Sequence, residues 1–420
     1  MSNRAAATKS RLHPAWIAAA VTFLTLVSTS GFRSAPTVLM MPLQTAFGWS
    51  RASISSAISI NVLVYGLTAP FAAALMERFG IRKVVITALT IVGSAAWCTQ
   101  YITQPWHLAV LWGLIVGGGT GSMALVFAAS IVNRWFIKKR GIVIGVLTAA
   151  SAAGNLIFLP LFSRLAMHYG WKSISITVGL SSLAMVPVIA LFLRESPQDI
   201  AVAPYGAPAD FEFASKVKRN AARETIDTLR EAMKVKKFWL LAGSFFVCGL
   251  STNGLIGTHF IPAAMDHGMA MDTAASLLAL VGVFDVVGTI FSGWLTDRVS
   301  PVKLLFVYYL LRGLSLFLLP SILFRSVHPS TLVFVIFYGL DWVATVPPTV
   351  VLCRTVLSPE KGAIIYGWVF TAHQLGASVA ALGGAVIHDK LGNYAAAFYT
   401  AAILCVIASY AVLKIREDVK

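Results

Sequence analysis

The chain is predicted to be an all-α membrane protein whose twelve transmembrane helices form two pseudo-symmetric six-helix bundles. Three observations predict this. Of the 420 residues, 57% are hydrophobic and 12% charged, and the mean hydropathy is +0.78, which excludes a soluble domain. Twelve stretches reach the roughly 20 apolar residues that crossing a hydrocarbon core requires. A polar segment divides those stretches six and six, and the two sets echo each other.

The first stretch, 14–43, follows a tail bearing Arg4, Lys9 and Arg11. Small residues at "STSG" also allow a signal-peptide reading; cleavage would leave eleven spans and break the repeat. Residues 52–76 lead into a loop with Arg78, Arg82 and Lys83. Spans 83–102 and 106–133 end at Arg134, Lys138, Lys139 and Arg140, and 141–166 and 172–194 complete the first set. The second set is 238–265, 273–296, 302–324, 329–353, 362–387 and 393–414, with Arg298 and Lys303 after its second member. The opposite loops hold little more than Arg51, Lys172, Arg325 and Lys390. This bias places both termini in the cytoplasm. The domains expected are a tail (1–13), a bundle (14–195), a linker (196–236) and a second bundle with a short tail (237–420).

A formal net charge of +16 follows from the same bias together with attraction to anionic lipid, so membrane lipid is the expected partner and nucleic acid is not. In the linker, a stretch rich in Pro, Ala and Gly precedes "KVKRNAARETIDTLREAMKVKK", where Ile226, Leu229 and Met233 recur at helical spacing and predict a surface helix. Cys98, Cys248, Cys353 and Cys405 fall within or at the ends of spans without metal-like spacing, and are expected to be buried thiols. No cofactor or metal is expected. "GLIVGGGTGS" (Gly113 to Ser122) lacks the Lys-Ser/Thr of a phosphate loop and reads as close helix packing.

The repeat is visible in two places. "LMERFGIRK" (Leu75 to Lys83) matches "LTDRVSPVK" (Leu295 to Lys303), and "KKRGIVIGVLTAASAAGN" (Lys138 to Asn155) returns loosely as "PEKGAIIYGWVFTAHQLGAS" (Pro359 to Ser378). Two six-helix repeats suit a transporter that rocks its halves about a midplane site. With these motifs the chain resembles the major facilitator superfamily over essentially its whole length. The family's loop signature, Gly-x-x-x-Asp-Arg/Lys-x-Gly-x-Arg/Lys-Arg/Lys, is met here by Glu77, Arg78, Gly80, Arg82 and Lys83, with Ala at the leading glycine and Glu for Asp. The second copy keeps Gly293, Asp297 and Arg298. The resemblance implies gating roles for Glu77, Arg78, Gly80, Arg82, Gly293, Asp297 and Arg298; as plain loop charges they would also set topology.

Within the superfamily, "NRWFIKKRGIVIGVLTAASAAGN" resembles the aromatic-then-basic approach to helix five of monocarboxylate transporters and oxalate/formate-type antiporters, whereas the Gly-x-x-x-Gly-Pro of drug/proton antiporters is not reproduced by "SAAGNLIFLP". Monocarboxylate transporters carry a basic residue in helix one, a position that Arg33 in "GFRS" is similar to. From Trp16, a rise of about 1.5 Å per residue puts it in the outer third of the first helix. Its fork of donors matches a carboxylate; the alternative is snorkelling to the headgroups. Asp285 in "LVGVFDVVGTIFSGWLTDR" lies near mid-membrane, where an acid is a functional hypothesis by default. The family has an Arg four residues later where this chain has Thr289. A proton-carrying role is expected for Asp285, against a structural hydrogen bond between helices.

Asp341 in helix ten and His373 in helix eleven are expected to join it in proton coupling; the alternatives are a packing salt bridge and a buried neutral histidine. Trp342 offers an aromatic wall beside Pro347-Pro348, expected to break helix ten. Gln374, Asn61, Tyr65, Asn155 and Asn253 are further substrate-site candidates, although lone amides more often join helices. The reading is a non-enzymatic secondary transporter of the cytoplasmic membrane, a monomer that moves a small organic anion, a monocarboxylate, with protons. The alternatives are a drug or amphiphile exporter of the same fold and a transport-like receptor or membrane enzyme.

Overall fold

The structure, a computed structural model, describes residues 13–123, 125–208, 211, 221–358 and 361–415. Ten helices among the described residues are long and apolar enough to cross a membrane. In chain order the first half contains α1 (Pro14–Phe47), α2 (Arg51–Phe79), α3 (Ile81–Cys98), a broken α4, α5 (Arg140–Tyr169) and α6 (Trp171–Phe192). The fourth helix starts at Pro105–Leu108, widens into a π-helix at Ala109–Val116, and continues through Gly117–Gly121 and Leu125–Trp135. The second half contains α7 (Lys236–Asp266), α8 (Met271–Thr296), α9 (Pro301–Ile322), α10 (Pro329–Thr355), α11 (Gly362–Leu391) and α12 (Ala395–Val412). Helices satisfy their own backbone hydrogen bonds, which is why a chain this apolar adopts them in lipid.

The two halves pack alike. The pairings α1 with α5, α2 with α4 and α3 with α6 recur as α7 with α11, α8 with α10 and α9 with α12. Across the seam α2 lies along α11, and α5 along α8. Small residues allow the close approaches. A Cβ on Gly117 would come 2.7 Å from the Asn61 carbonyl oxygen, and one on Gly121 would come 2.8 Å from that of Tyr65. The glycine run of α4 is therefore helix packing, as its sequence suggests.

One expectation is corrected. Cys98 is exposed at the end of α3, whereas Cys248, Cys353 and Cys405 are buried. The linker helix, Ala221–Ala232, buries Thr225, Thr228 and Ala232, while Ile226 and Met233 stand exposed and only Leu229 of the expected stripe packs inward. The helix docks by polar contacts: Trp368 Nε1 donates to the Thr225 carbonyl at 3.0 Å and Lys361 Nζ to Glu231 at 2.5 Å. Glu231 is also what raises the pKa of Lys361. Small side chains on the docking face permit that approach better than an Ile and a Met would. The Pro-, Ala- and Gly-rich part folds back on α1: Tyr205 exchanges backbone hydrogen bonds with Trp135, Ile137 and Lys138, and its ring meets those of His13, Trp16 and Phe136.

Candidate functional site

Arg33 sits near the middle of the 34-residue α1, because that helix continues to Phe47 and no longer leaves the arginine in its outer third. Its side chain is exposed. The guanidinium lies 5.6 Å from the centre of the Tyr65 ring on α2, and that ring meets Phe370 of α11 edge-on at 6.1 Å. Arg33 thus points along the seam between the halves. Among the described residues it has no carboxylate within ion-pair distance. Behind it, Gly31 lets the Phe158 ring of α5 approach.

Along α11 the seam continues through aromatic and amide groups. His373 lies between Phe370, stacked at 5.7 Å, and Phe245 of α7 at 4.9 Å; Tyr366 touches both phenylalanines. His373 and Gln374 are 7% and 2% exposed, and His373 Nδ1, Gln374 Nε2 and the Tyr366 hydroxyl have no hydrogen-bond partner among the described residues. Gly66 of α2 makes room for Gln374: a Cβ there would fall 2.4 Å from the glutamine Cβ.

The acidic residues lie elsewhere, around a break in α10. Helix Pro329–Asp341 stops, residues 342–345 form turns, and Val346–Leu352 restarts with Pro347 and Pro348 in its first turn. Proline has no N–H to give to the preceding turn, so backbone groups on both sides need other partners. Arg312 of α9, 1% exposed, supplies donors: Nε to Asp341 Oδ2 at 2.6 Å, and one terminal nitrogen to the carbonyls of Asp341 (2.6 Å) and Trp342 (3.2 Å). Its other terminal nitrogen meets Cys248 Sγ at 2.9 Å. Asp285 of α8 supplies the acceptor. Its Oδ1 takes the Val343 N–H at 3.1 Å and the Thr289 hydroxyl at 3.1 Å. Ser292 Oγ closes on the Ala344 carbonyl at 2.5 Å. A cation therefore sits at the carbonyl end of one half-helix and an anion at the amide end of the next, each where the helix dipole favours it.

Asp285 and Asp341 are thus brought together through α10, in the hydrogen-bonded and ion-paired settings that also suit purely structural parts. Arg312 was overlooked in the sequence, although a lone charge inside span 302–324 is the signal that singled out Asp285. His373 does not join the acids directly, but Gly249, next to Cys248, packs on its backbone. Trp342 faces Gly257 of α7 and the Tyr338 ring. Asn61 Nδ2 donates to the Trp112 carbonyl at 2.6 Å and so ties α2 to α4. Asn253 lies in the π-helical stretch Leu250–Ile256 of α7, half-buried. The side chains of Asn155 and Glu77 lie outside the described residues.

The other loop residues gather at the end where α1 begins and α12 finishes. Gly80 has φ +90, and a Cβ there would fall 2.5 Å from Glu195 Oε1. Only glycine fits that corner. Glu195 accepts from the Arg82 amide at 3.1 Å and pairs with Arg134 at 4.0 Å, while the Arg82 guanidinium reaches the Ala190 carbonyl. Glu195 was also missed; it lies 113 positions from Arg82 and 61 from Arg134, and nothing local marks it. Arg78 packs on Phe79. In the second copy Arg298 lies over Trp294 at 4.2 Å and donates to that residue's carbonyl, Asp297 is exposed, and no neighbour crowds Gly293.

At the opposite end the halves are joined by charge. Arg51 of α2 holds Asp266 of α7 with two nitrogens, at 2.7 and 2.6 Å, and Tyr394 at 3.1 Å; His388 Nε2 lies 3.1 Å from Asp266, and Asp389 takes the Ala52 amide at 2.9 Å.

Two repeated six-helix bundles meeting at a seam, with charge inside the membrane and a latch between the halves at one end, define a multi-pass membrane transporter. Comparison with known proteins agrees. Residues 19–381 match the Major Facilitator Superfamily, with a second match over 266–420, and the chain belongs to that family. It is 22% identical to the uncharacterized MFS-type transporter YcxA of Bacillus subtilis (90% of each chain). It is 27% identical to monocarboxylate transporter 13 of Bos taurus (87% of this chain, 80% of that one). The fold matches the crystal structure of a bacterial homolog of the human lysosomal transporter Spinster, in an inward-facing and unoccupied conformation. That match has a TM-score of 0.70 at 15% identity and covers 97% of this chain and 99% of the other. The chain is a transporter and not an enzyme.

Proposed function

We propose that the chain is a secondary active transporter that moves a monocarboxylate across the cytoplasmic membrane by alternating access, coupled to protons. Both termini lie in the cytoplasm, in keeping with the Lys and Arg bias of the loops, and the monomer is the working unit. The observation that carries the reading is the contrast between arginines. Arg51 and Arg312 each hold an aspartate, whereas Arg33, accessible at the seam, has an aromatic ring beside it and no carboxylate among the described residues. An unmatched fork of donors there suits an arriving carboxylate. The likeness to monocarboxylate transporter 13 points the same way.

In this reading Arg33 binds the carboxylate, with Tyr65, Gln374, Trp342 and the asparagines around the path. Asp285 carries the proton, and Asp341 and His373 set the charge around it. A proton on either aspartate alters the balance with Arg312, and so the hold on the two halves of α10. Domain boundaries at 14–195 and 237–420, with the linker at 196–236, make these halves the moving bodies.

Proteoliposomes test the reading. Arg33→Lys keeps charge and loses the fork; Arg33→Gln loses both. A hydrogen bond to a charged group contributes about 1.5–3 kcal/mol, so Arg33→Gln weakens carboxylate affinity roughly tenfold to a hundredfold on the scale of about 1.4 kcal/mol per decade, with Arg33→Lys in between. Asp285→Asn retains counterflow and loses pH-driven accumulation. Unchanged affinity in Arg33→Gln, or efflux of hydrophobic cations in place of carboxylates, sinks the assignment.

A further inference from the structure

We infer that the carboxylate this transporter takes is aromatic and carries a polar ring substituent such as a hydroxyl, so that short aliphatic acids are poor substrates. The inference rests on the proposed role of Arg33 and deepens it. Arg33 lies against the Tyr65 ring of α2, and from that ring a run of rings leads on through Phe370 and Tyr366 of α11 to Phe245 of α7, with centroid separations of 6.0–6.4 Å between the Tyr65–Phe370, Phe370–Tyr366 and Phe245–Tyr366 pairs. Those spacings lie toward the loose end of the 4.5–7 Å range of aromatic pairs. A planar ring joining such a run gains offset or edge contacts, and an acid with no more than a methyl group beyond its carboxylate gains little.

Aromatic side chains alone would be ordinary core. The second observation is polar. On the same stretch of α11, His373 Nδ1 and Gln374 Nε2, on side chains 7% and 2% exposed, and the Tyr366 hydroxyl all lack hydrogen-bond partners among the described residues. A buried donor or acceptor left unpaired is costly, and three of them between positions 366 and 374 of one helix, beside a ring-lined seam, match a ligand that brings its own hydroxyl. A site with polar groups waiting in this way rejects the analogue that lacks the hydroxyl, because binding it leaves them unpaired and dry.

The test uses the full-length protein in detergent and then in proteoliposomes, with lactate, benzoate, 3-hydroxybenzoate and 4-hydroxybenzoate as ligands. Affinity is read by thermal stabilisation and transport by counterflow. One hydroxybenzoate is expected to bind about tenfold more tightly than benzoate, and benzoate at least tenfold more tightly than lactate. Gln374→Met, close in shape, is expected to bring the hydroxybenzoate and benzoate affinities together, and Phe370→Leu to narrow the gap between benzoate and lactate. The wild-type ranking alone decides the matter should a variant fold poorly. Lactate binding as tightly as benzoate, or benzoate as tightly as both hydroxybenzoates, with Arg33→Gln still weakening all of them, overturns this inference and leaves the anion reading standing. Carboxylate binding that is absent, or indifferent to Arg33, overturns both.

Discussion

An arginine buried inside a membrane protein, away from any accessible seam, needs partners for its arms, and Arg312 has them in an aspartate, a thiol and two carbonyls. Removing one member of a buried pair strands the other and costs about 3–5 kcal/mol, whereas replacing both with apolar groups is often neutral. Arg312→Met and Asp341→Asn are therefore each expected to lower the apparent melting temperature of the purified protein by several degrees, and Arg312→Met/Asp341→Leu to recover most of the loss; a double variant no more stable than either single would show that the carbonyl caps, not the pair, carry the stability. Both residues were open to sequence reading as charges in apolar spans, but their pairing was not. It depends on α9 lying against the break in α10, a tertiary fact that no spacing encodes. Arg33 differs: its isolation in "GFRS" was legible, and only its neighbours, Tyr65 and Phe370, needed the fold.

At the scale of elements, α10 shows how a broken helix is tolerated in lipid. Val346 N–H bonds to the Val343 carbonyl at 2.8 Å, Thr349 Oγ1 donates to the Thr345 carbonyl at 2.7 Å, and Arg312, Asp285 and Ser292 satisfy much of the rest. Replacing Pro347 and Pro348 by alanine returns two N–H donors to the preceding turn and removes the clash that ends the helix. The double alanine variant is expected to fold with equal or higher thermal stability and to exchange substrate at least several-fold more slowly, since a continuous helix has no joint at which Asp285 and Arg312 can act. Full transport activity would show that the break is only a packing solution. The break itself was legible from "VPP", and the helix order and repeat from apolar length and echoed loops. The docking face of the linker helix was not, because the rule that apolar residues turn inward fails where Trp368 and Lys361 set the contact by hydrogen bonding.

For the whole molecule, the question is what holds the halves in the arrangement seen. The end where α1 finishes and α2 begins is sealed by Arg51–Asp266, with His388, Asp389 and Tyr394 around it and the Thr37 hydroxyl on the Gly257 carbonyl at 2.7 Å deeper in the seam. Arg51 is 5% exposed in its side chain and Asp266 25%. The pair is therefore partly shielded from the solvent that weakens surface ion pairs. Its effect on the conformational balance exceeds the attraction itself, because a variant lacking the aspartate leaves Arg51 dry and unpaired when this end is closed and hydrated when it opens. Asp266→Asn is accordingly expected to shift the population toward opening at this end by at least about tenfold, or roughly 1.4 kcal/mol, and the exchanged pair Arg51→Asp/Asp266→Arg to restore part of the closed population. Spin labels on the ends of α2 and α7 measure it, as a longer-distance component that grows in Asp266→Asn and shrinks in the exchanged pair. A distance distribution unmoved by Asp266→Asn would mean that the α2–α11 and α5–α8 contacts hold the halves by themselves, and that the charge cluster only fixes their register once closed.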